Sequence, residues 1–418
     1  MGLFSKKKAA IEKAKMEQTH EIVCLHCFAN FKHNQVVFRA VEILDKPGYH
    51  AEVDELLDRH LARFNISPQG PLPPVLYPDN FGEANKGYIR DVLSSLKDAH
   101  GNVSTKRLCP YCHNEIPKSA GFQPCTLISI VGASRVGKST YLASLITTLK
   151  NVTSHNFDVF CTPASGEMGH RFKYEYEDQL LEHGYLLDRG TSFQGPLIFT
   201  FSFADAGKPE LNIVFFDVNE ESMSDRGCME IFAAHVTNSS GVIFLVDPQQ
   251  FRNISRKLQV LNKLNYEINY SSEPSEALTT LLENYIAKQP NGISQIPTAV
   301  VLTKSDLLEA LSYESDYIHP RSNIFARYTH RGYLNMTQTD IVNYEVDEFI
   351  QRADPNFRNA LKRRFGNLGL FAVSALGARP EQILQRAAQF SPMRVDEPFL
   401  WILYRLRCIE GFYEGARL

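Results

Sequence analysis

The sequence predicts an α/β protein: a three-layer α/β/α domain with a mostly parallel sheet over residues 123–418, following a smaller module over residues 21–122. Three observations predict it. From Cys125 onward, short apolar runs alternate with amphipathic stretches, as in a sheet covered by helices. One run, Val242-Ile-Phe-Leu-Val246, is apolar at every position, as a strand buried on both faces requires. The residues before 123 have a different texture, bounded by two Cys-x-x-Cys pairs with Pro-rich breakers between them.

The strands expected in the larger domain are 127–131, 197–203, 211–217, 241–246, 298–302 and 370–373. Phe399, Ile402, Leu403 and Leu406 follow helical spacing and predict a terminal helix packed on the sheet. In the smaller module, residues 28–108 form an insertion between the cysteine pairs. It is expected to hold a helical stretch near 53–64, a Pro-rich segment from Pro68 to Pro78, and a second helical stretch near 86–99. Residues 1–20 read as a basic, solvated lead-in.

Bulk properties narrow the function. Among 418 residues, 44 Lys and Arg face 47 Asp and Glu, a net charge of −3, which gives no overall pull towards nucleic acid. No run of 18 apolar residues suggests a membrane span. The basic start, Met1 to Lys8, lacks the apolar stretch of a signal peptide. A cytoplasmic protein is expected, and there paired cysteines read as metal ligands before disulfides.

The most specific motif is Gly132-Ala-Ser-Arg-Val-Gly137-Lys138-Ser139, a full match to G-x-x-x-x-G-K-[ST] between an expected strand and an expected helix. The helix carries its stripe at Leu142, Leu145, Ile146 and Leu149. A triphosphate concentrates negative charge, and successive backbone N–H groups of a glycine-rich turn at a helix N-terminus meet that charge. Gly132 and Gly137 permit the turn. Ser134, Arg135, Val136 and Thr140 complete the cradle, Lys138 would bridge the β- and γ-phosphates, and Ser139 would give a hydroxyl to Mg²⁺. Asp217, after the expected strand 211–217, is the candidate second Mg²⁺ ligand. Thr191, in the loop before strand 197–203, is the candidate for Mg²⁺ and the γ-phosphate.

The segment Thr303-Lys304-Ser305-Asp306 follows an apolar strand and is a close variant of Asn-Lys-x-Asp. Asp306 can accept hydrogen bonds from guanine N1–H and its 2-amino group. Adenine lacks that pair of donors and would leave a buried carboxylate unsatisfied. Lys304 would lay its aliphatic stem over the base. Ser374, Ala375 and Leu376 follow another strand and would bring a backbone N–H to guanine O6. Cys24, Cys27, Cys109 and Cys112 have the two-residue spacing that lets four thiolates converge on one structural Zn²⁺. The alternative is two unrelated cysteine pairs. His26 and His113 are expected not to be ligands.

Taken in order, these elements resemble the Ras-like P-loop GTPase domain of the translation-factor-related class. With the N-terminal zinc-ribbon knuckles, the chain looks most like the bacterial double-GTPase-type proteins of multi-gene conflict systems. The resemblance implies GTP/GDP and Mg²⁺ as ligands, and a nucleotide switch that governs a partner protein. The chain departs from the pattern where the family reads Asp-x-x-Gly: here Asp217-Val-Asn-Glu220 puts a carboxylate where a glycine N–H would meet the γ-phosphate. Glu221 falls where the family positions its attacking water. A GTPase of low intrinsic rate is therefore expected. The alternatives are a guanine-nucleotide scaffold that does not hydrolyse and a zinc-ribbon nucleic-acid binder. Residues 309–366 exceed a minimal domain. They read either as a partner-binding insertion, an effector contact the zinc module could share, or as a helical elaboration covering the sheet edge.

Overall fold

The computed structural model describes residues 20–41, 50–64, 66–122, 126–133, 135–182, 196–205, 207–208, 210–215, 234–262, 273–281, 292–313, 316–377 and 391–415. Its centre is a seven-stranded sheet of β1 (Leu127–Gly132), β2 (Val159–Pro163), β3 (Leu197–Phe203), β4 (Leu211–Phe215), β5 (Gly241–Val246), β6 (Thr298–Leu302) and β7 (Leu368–Ala372). The order is β2-β3-β4-β1-β5-β6-β7. Pairing from β4 through β7 is parallel, while β2–β3 and β3–β4 are antiparallel.

Alternation along β1 divides the molecule. Ile128 and Ile130 face a core with α1 (Lys138–Thr148) and α5 (Glu397–Arg405), where Tyr141, Leu145, Ile146, Phe399, Ile402 and Leu403 are fully buried. The expected terminal helix is therefore present, its apolar stripe in the core. On the opposite face, Val131 joins Val242, Phe244, Val300 and Leu302 beneath α2 (Arg252–Asn262), α3 (Met336–Ala353) and α4 (Pro355–Arg364). Val342, Val346, Phe349 and Ile350 of α3 are fully buried there. So much of 309–366 covers the sheet, and its exposed side carries Tyr313 and Tyr344.

The rest of that second face, around Leu127, Ile198 and Val214, is covered by the cysteine module through Leu25, Phe28 and Phe64. Two-stranded pairing flanks the first cysteine pair, Ile22–Val23 against Asn30–Phe31. Val37–Arg39 pairs with Val75–Leu76 and with Arg107–Leu108, just before the second cysteine pair. Phe31, Val36, Phe38, Leu93 and Leu96, all between the two pairs, share one core with the cysteines and Ile116.

One expectation is corrected, and one strand is new. The stretch near 86–99 is a β-hairpin, Lys86–Ile89 against Val92–Lys97, and no helix forms there. Val92, Leu93 and Leu96 fit helical spacing, but Arg90 and Asp91 both take positive φ (46° and 64°), a two-residue turn that reverses the chain. The strand β2 was not foreseen. Val159 and Cys161 point inward, Phe160 outward, and Pro163 ends it, the profile of a short edge strand. The helix expected at 53–64 is present as Glu55–Ala62, capped by Asp54.

Candidate functional site

The phosphate loop lies between β1 and α1 as the motif requires. Gly137 sits at φ 88°, where a side chain would be strained. At Gly132 an added Cβ would lie 2.8 Å from the Leu245 carbonyl oxygen, so only glycine fits against β5. Arg135 also takes a left-handed φ of 65° and is exposed, while Val136 is buried beneath it. Lys138 starts α1 and turns its ammonium back into the loop, donating to Gly132 O and Ala133 O, both at 3.2 Å. Ser139 and Thr140 lie in the first helical turn, half-buried. Ser134 falls outside the described residues.

The second loop meets the first directly. Thr303, at the end of β6, donates its hydroxyl to Val136 O at 2.9 Å. Lys304 donates to Arg135 O at 3.2 Å, and its stem passes 3.9 Å from the Cβ position of Gly137. The third loop joins from β7, where Ser374 donates its hydroxyl to Asp306 Oδ1 at 2.6 Å. Ser374 also accepts from Gly377 N at 2.9 Å, which folds Ala375 and Leu376 around it. Three segments far apart in the chain thus converge at the C-terminal ends of parallel strands, where open α/β sheets bind ligands. Together they bring a glycine-bearing turn at a helix N-terminus, two lysines, and a carboxylate bonded to a hydroxyl to one place.

Asp247 was missed by the sequence reading. It follows β5, is fully buried, and pairs with Lys304 Nζ at 2.5 Å. The available signal was an apolar strand ending in Asp-Pro, which also describes an ordinary turn. Thr191, Asp217, Glu220 and Glu221 lie outside the described residues.

The four cysteines of the module come together, with all four Sγ atoms within 4.8 Å of one another. Cys24 and Cys112 are 3.6 Å apart, Cys27 and Cys109 3.7 Å. A tetrahedron of sulfurs at about 2.3 Å from zinc has edges of about 3.8 Å, so this spacing fits the ion and is far too long for disulfides. The two loops are built alike. His26 N donates to Cys24 Sγ and Tyr111 N to Cys109 Sγ, each at 3.4 Å, while Phe28 and His113 close the turns at positive φ. Asn114 Nδ2 adds a donor to Cys112 Sγ at 3.3 Å. Burial and neighbouring thiols push the Cys24 thiol up, whereas hydrogen bonds from Cys109, Cys112 and Cys24 hold Cys27 down. Thiolates this close need a cation among them, and the donor set suits structural Zn²⁺. His113 faces away, its Nδ1 2.7 Å from Asp54 Oδ1. His26 is half-buried beside the buried His60, their ring centroids 6.4 Å apart.

With the geometry in place, known proteins bear on it. The model of the Double-GTPase 2 family matches residues 126–355. A protein of Mycolicibacterium smegmatis, named "Putative ESX-1 scaffolding and assembly protein SaeC", is 25% identical over 316 residues, 71% of this chain and 78% of that one. Among solved structures, the Trypanosoma brucei small GTPase Arl6 BBS3 with bound GppNp covers 68% of this chain and 97% of its own, at 11% identity and TM-score 0.28. The GTP-bound GTPase-like domain of S. cerevisiae Ski7 covers 69% and 51%, at 13% identity and TM-score 0.32. Among the described residues no helix is long and apolar enough to cross a membrane.

Proposed function

The chain belongs to the Double-GTPase 2 family, and from that premise we propose that it is a guanine-nucleotide switch of low intrinsic turnover that acts on a partner protein. The observation that carries this reading is the meeting of loops: Thr303 on Val136, Lys304 on Arg135, and Ser374 on Asp306. In it, backbone N–H groups from Gly132 to Thr140 and the Lys138 ammonium hold the phosphates. Ser139, Thr191 and Asp217 would hold Mg²⁺, which would supply positive charge to neutralise the phosphates. Asp306 reads the guanine edge, Lys304 covers the base plane, and Ser374 to Leu376 close over O6.

Glu220 and Glu221 support slow turnover. A carboxylate in place of the glycine N–H is repelled by the γ-phosphate, and Glu at the water-positioning place is a poor substitute for an amide. The same two residues favour a second reading, a scaffold that holds its nucleotide without hydrolysing it. A partner protein is supported by the scaffolding and assembly role in the name of the M. smegmatis relative. Its contact surface would lie on the exposed side of residues 309–366 or on the zinc module. Purifying the chain, extracting bound nucleotide, and measuring GTP against ATP turnover with Mg²⁺ tests these readings. The switch predicts GTP-selective, slow release of phosphate. The scaffold predicts bound guanine nucleotide and no release. Equal use of ATP contradicts both.

A further inference from the structure

We propose that Asp247 is the positioning residue of the base site, holding Lys304 in its binding pose through a buried ion pair. The inference deepens the guanine-nucleotide reading of this site and rests on it.

Asp247 sits at the C-terminal end of β5, between the phosphate loop on β1 and the base loop on β6, and is fully buried. Its two carboxylate oxygens do separate work. Oδ1 accepts from Gln249 N at 2.8 Å, capping the turn Pro248–Gln250. Oδ2 pairs with Lys304 Nζ at 2.5 Å. The same ammonium donates to Arg135 O at 3.2 Å, so Lys304 bridges the ends of β5 and β6 to the phosphate loop. Its backbone is left-handed, φ 52°, a conformation a lysine adopts only when its surroundings hold it there.

A lysine side chain has four rotatable bonds and is otherwise loosely held. Any freedom lost when it covers a base counts against affinity, and a partner that fixes it beforehand removes that loss. The carboxylate that fixes it must also be negative and buried, because an exposed or neutral group would not hold an ammonium in one place. Asp247 is fully buried, and its Oδ2 meets the Lys304 ammonium from the end of β5. Lys304 in turn compensates a carboxylate that burial would otherwise penalise.

Asparagine at 247 keeps an oxygen for the cap, since Asn and Asp serve equally as caps, and removes the charge that holds Lys304. The experiment is a double-variant cycle on the full chain, reading GDP affinity by titration calorimetry and unfolding by urea without nucleotide. Asp247→Asn is expected to weaken GDP binding at least tenfold. Lys304→Gln weakens it similarly, and the double variant is no weaker than Lys304→Gln alone. In unfolding, Lys304→Gln lowers the midpoint and adding Asp247→Asn restores part of it, because the charged carboxylate is gone. That second readout holds if Asp247→Asn alone folds poorly. GDP affinity unchanged in Asp247→Asn, or losses that add in the double variant, overturns the proposal while leaving the guanine reading intact. Failure of the unaltered chain to bind GDP overturns both.

Discussion

Ser374 and Asp306 are 68 positions apart in sequence, yet hydroxyl and carboxylate meet at 2.6 Å. Such contacts decide function here, and each residue type answers a local demand. Gly132 and Gly137 were legible because their geometry admits nothing larger. Lys138 was legible because its spacing from them is fixed. Asp247 was not, since its partner is reached only through the sheet. Lys138→Ala removes a charged donor worth about 1.5–3 kcal/mol. GTP affinity is expected to fall about 10- to 100-fold, with urea unfolding of the nucleotide-free chain nearly unchanged. Calorimetry checks the first and urea the second. A second residue-scale test lies far from the site. Glu397 is fully buried, and burial alone would raise its pKa, but the Arg394 charge, the neighbouring His330 and hydrogen bonds from Arg394 hold it down to about 2. Arg394 Nε lies 2.5 Å from its Oε2. A carboxyl that titrates lower folded than unfolded contributes stability above the unfolded value of about 4.3 and loses it as pH falls below that. Glu397→Gln should therefore be less stable than the parent at neutral pH. The gap should close as pH drops from about 4.3 towards 2, measured by urea midpoints against pH.

At the scale of elements, periodicity served well where one face is buried and poorly where segments are short. α5 was legible from Phe399, Ile402 and Leu403, all fully buried. The hairpin 86–97 was not, because Val92, Leu93 and Leu96 follow helical spacing, and only the left-handed pair Arg90-Asp91 turns the chain into a hairpin. The edge strand β2 offers two inward residues, Val159 and Cys161, too few for a pattern. α5 also yields a stability prediction. Phe399 is fully buried and packs edge-on against Phe201, ring centroids 5.2 Å apart. Phe399→Ala is expected to cost about 3–5 kcal/mol. The urea midpoint should fall without a change of slope, since the fold remains the same. A loss under about 1 kcal/mol would mean that this end of the core is looser than described.

For the molecule as a whole, the cysteine module takes the place of a helix over one half of a sheet face. Leu25 and Phe28, on either side of Cys27, pack on Leu127 of β1 and Val214 of β4, and Phe28 lies 5.2 Å from His235, ring to ring. Of these strands, β1 leads directly into the phosphate loop. The paired cysteines pointed to a four-thiol cluster that could hold a metal, but nothing in their spacing announced this docking, because it depends on how the sheet leaves that face open. Metal analysis should find about one zinc per chain. Stripping it with a chelator should lower the thermal midpoint of the entire chain and weaken GDP binding, because the knuckle anchors part of the larger core. Zinc loss that leaves both unchanged would make the module an independent appendage. The central claim is that loops from three distant segments build one guanine-reading site, and Asp306→Ala tests it most directly, with GTP and ATP affinities measured side by side. The unaltered chain should prefer GTP by at least about 100-fold, and the variant should lose nearly all of that preference. A variant that still prefers GTP as strongly as the parent, or a parent that never did, contradicts it.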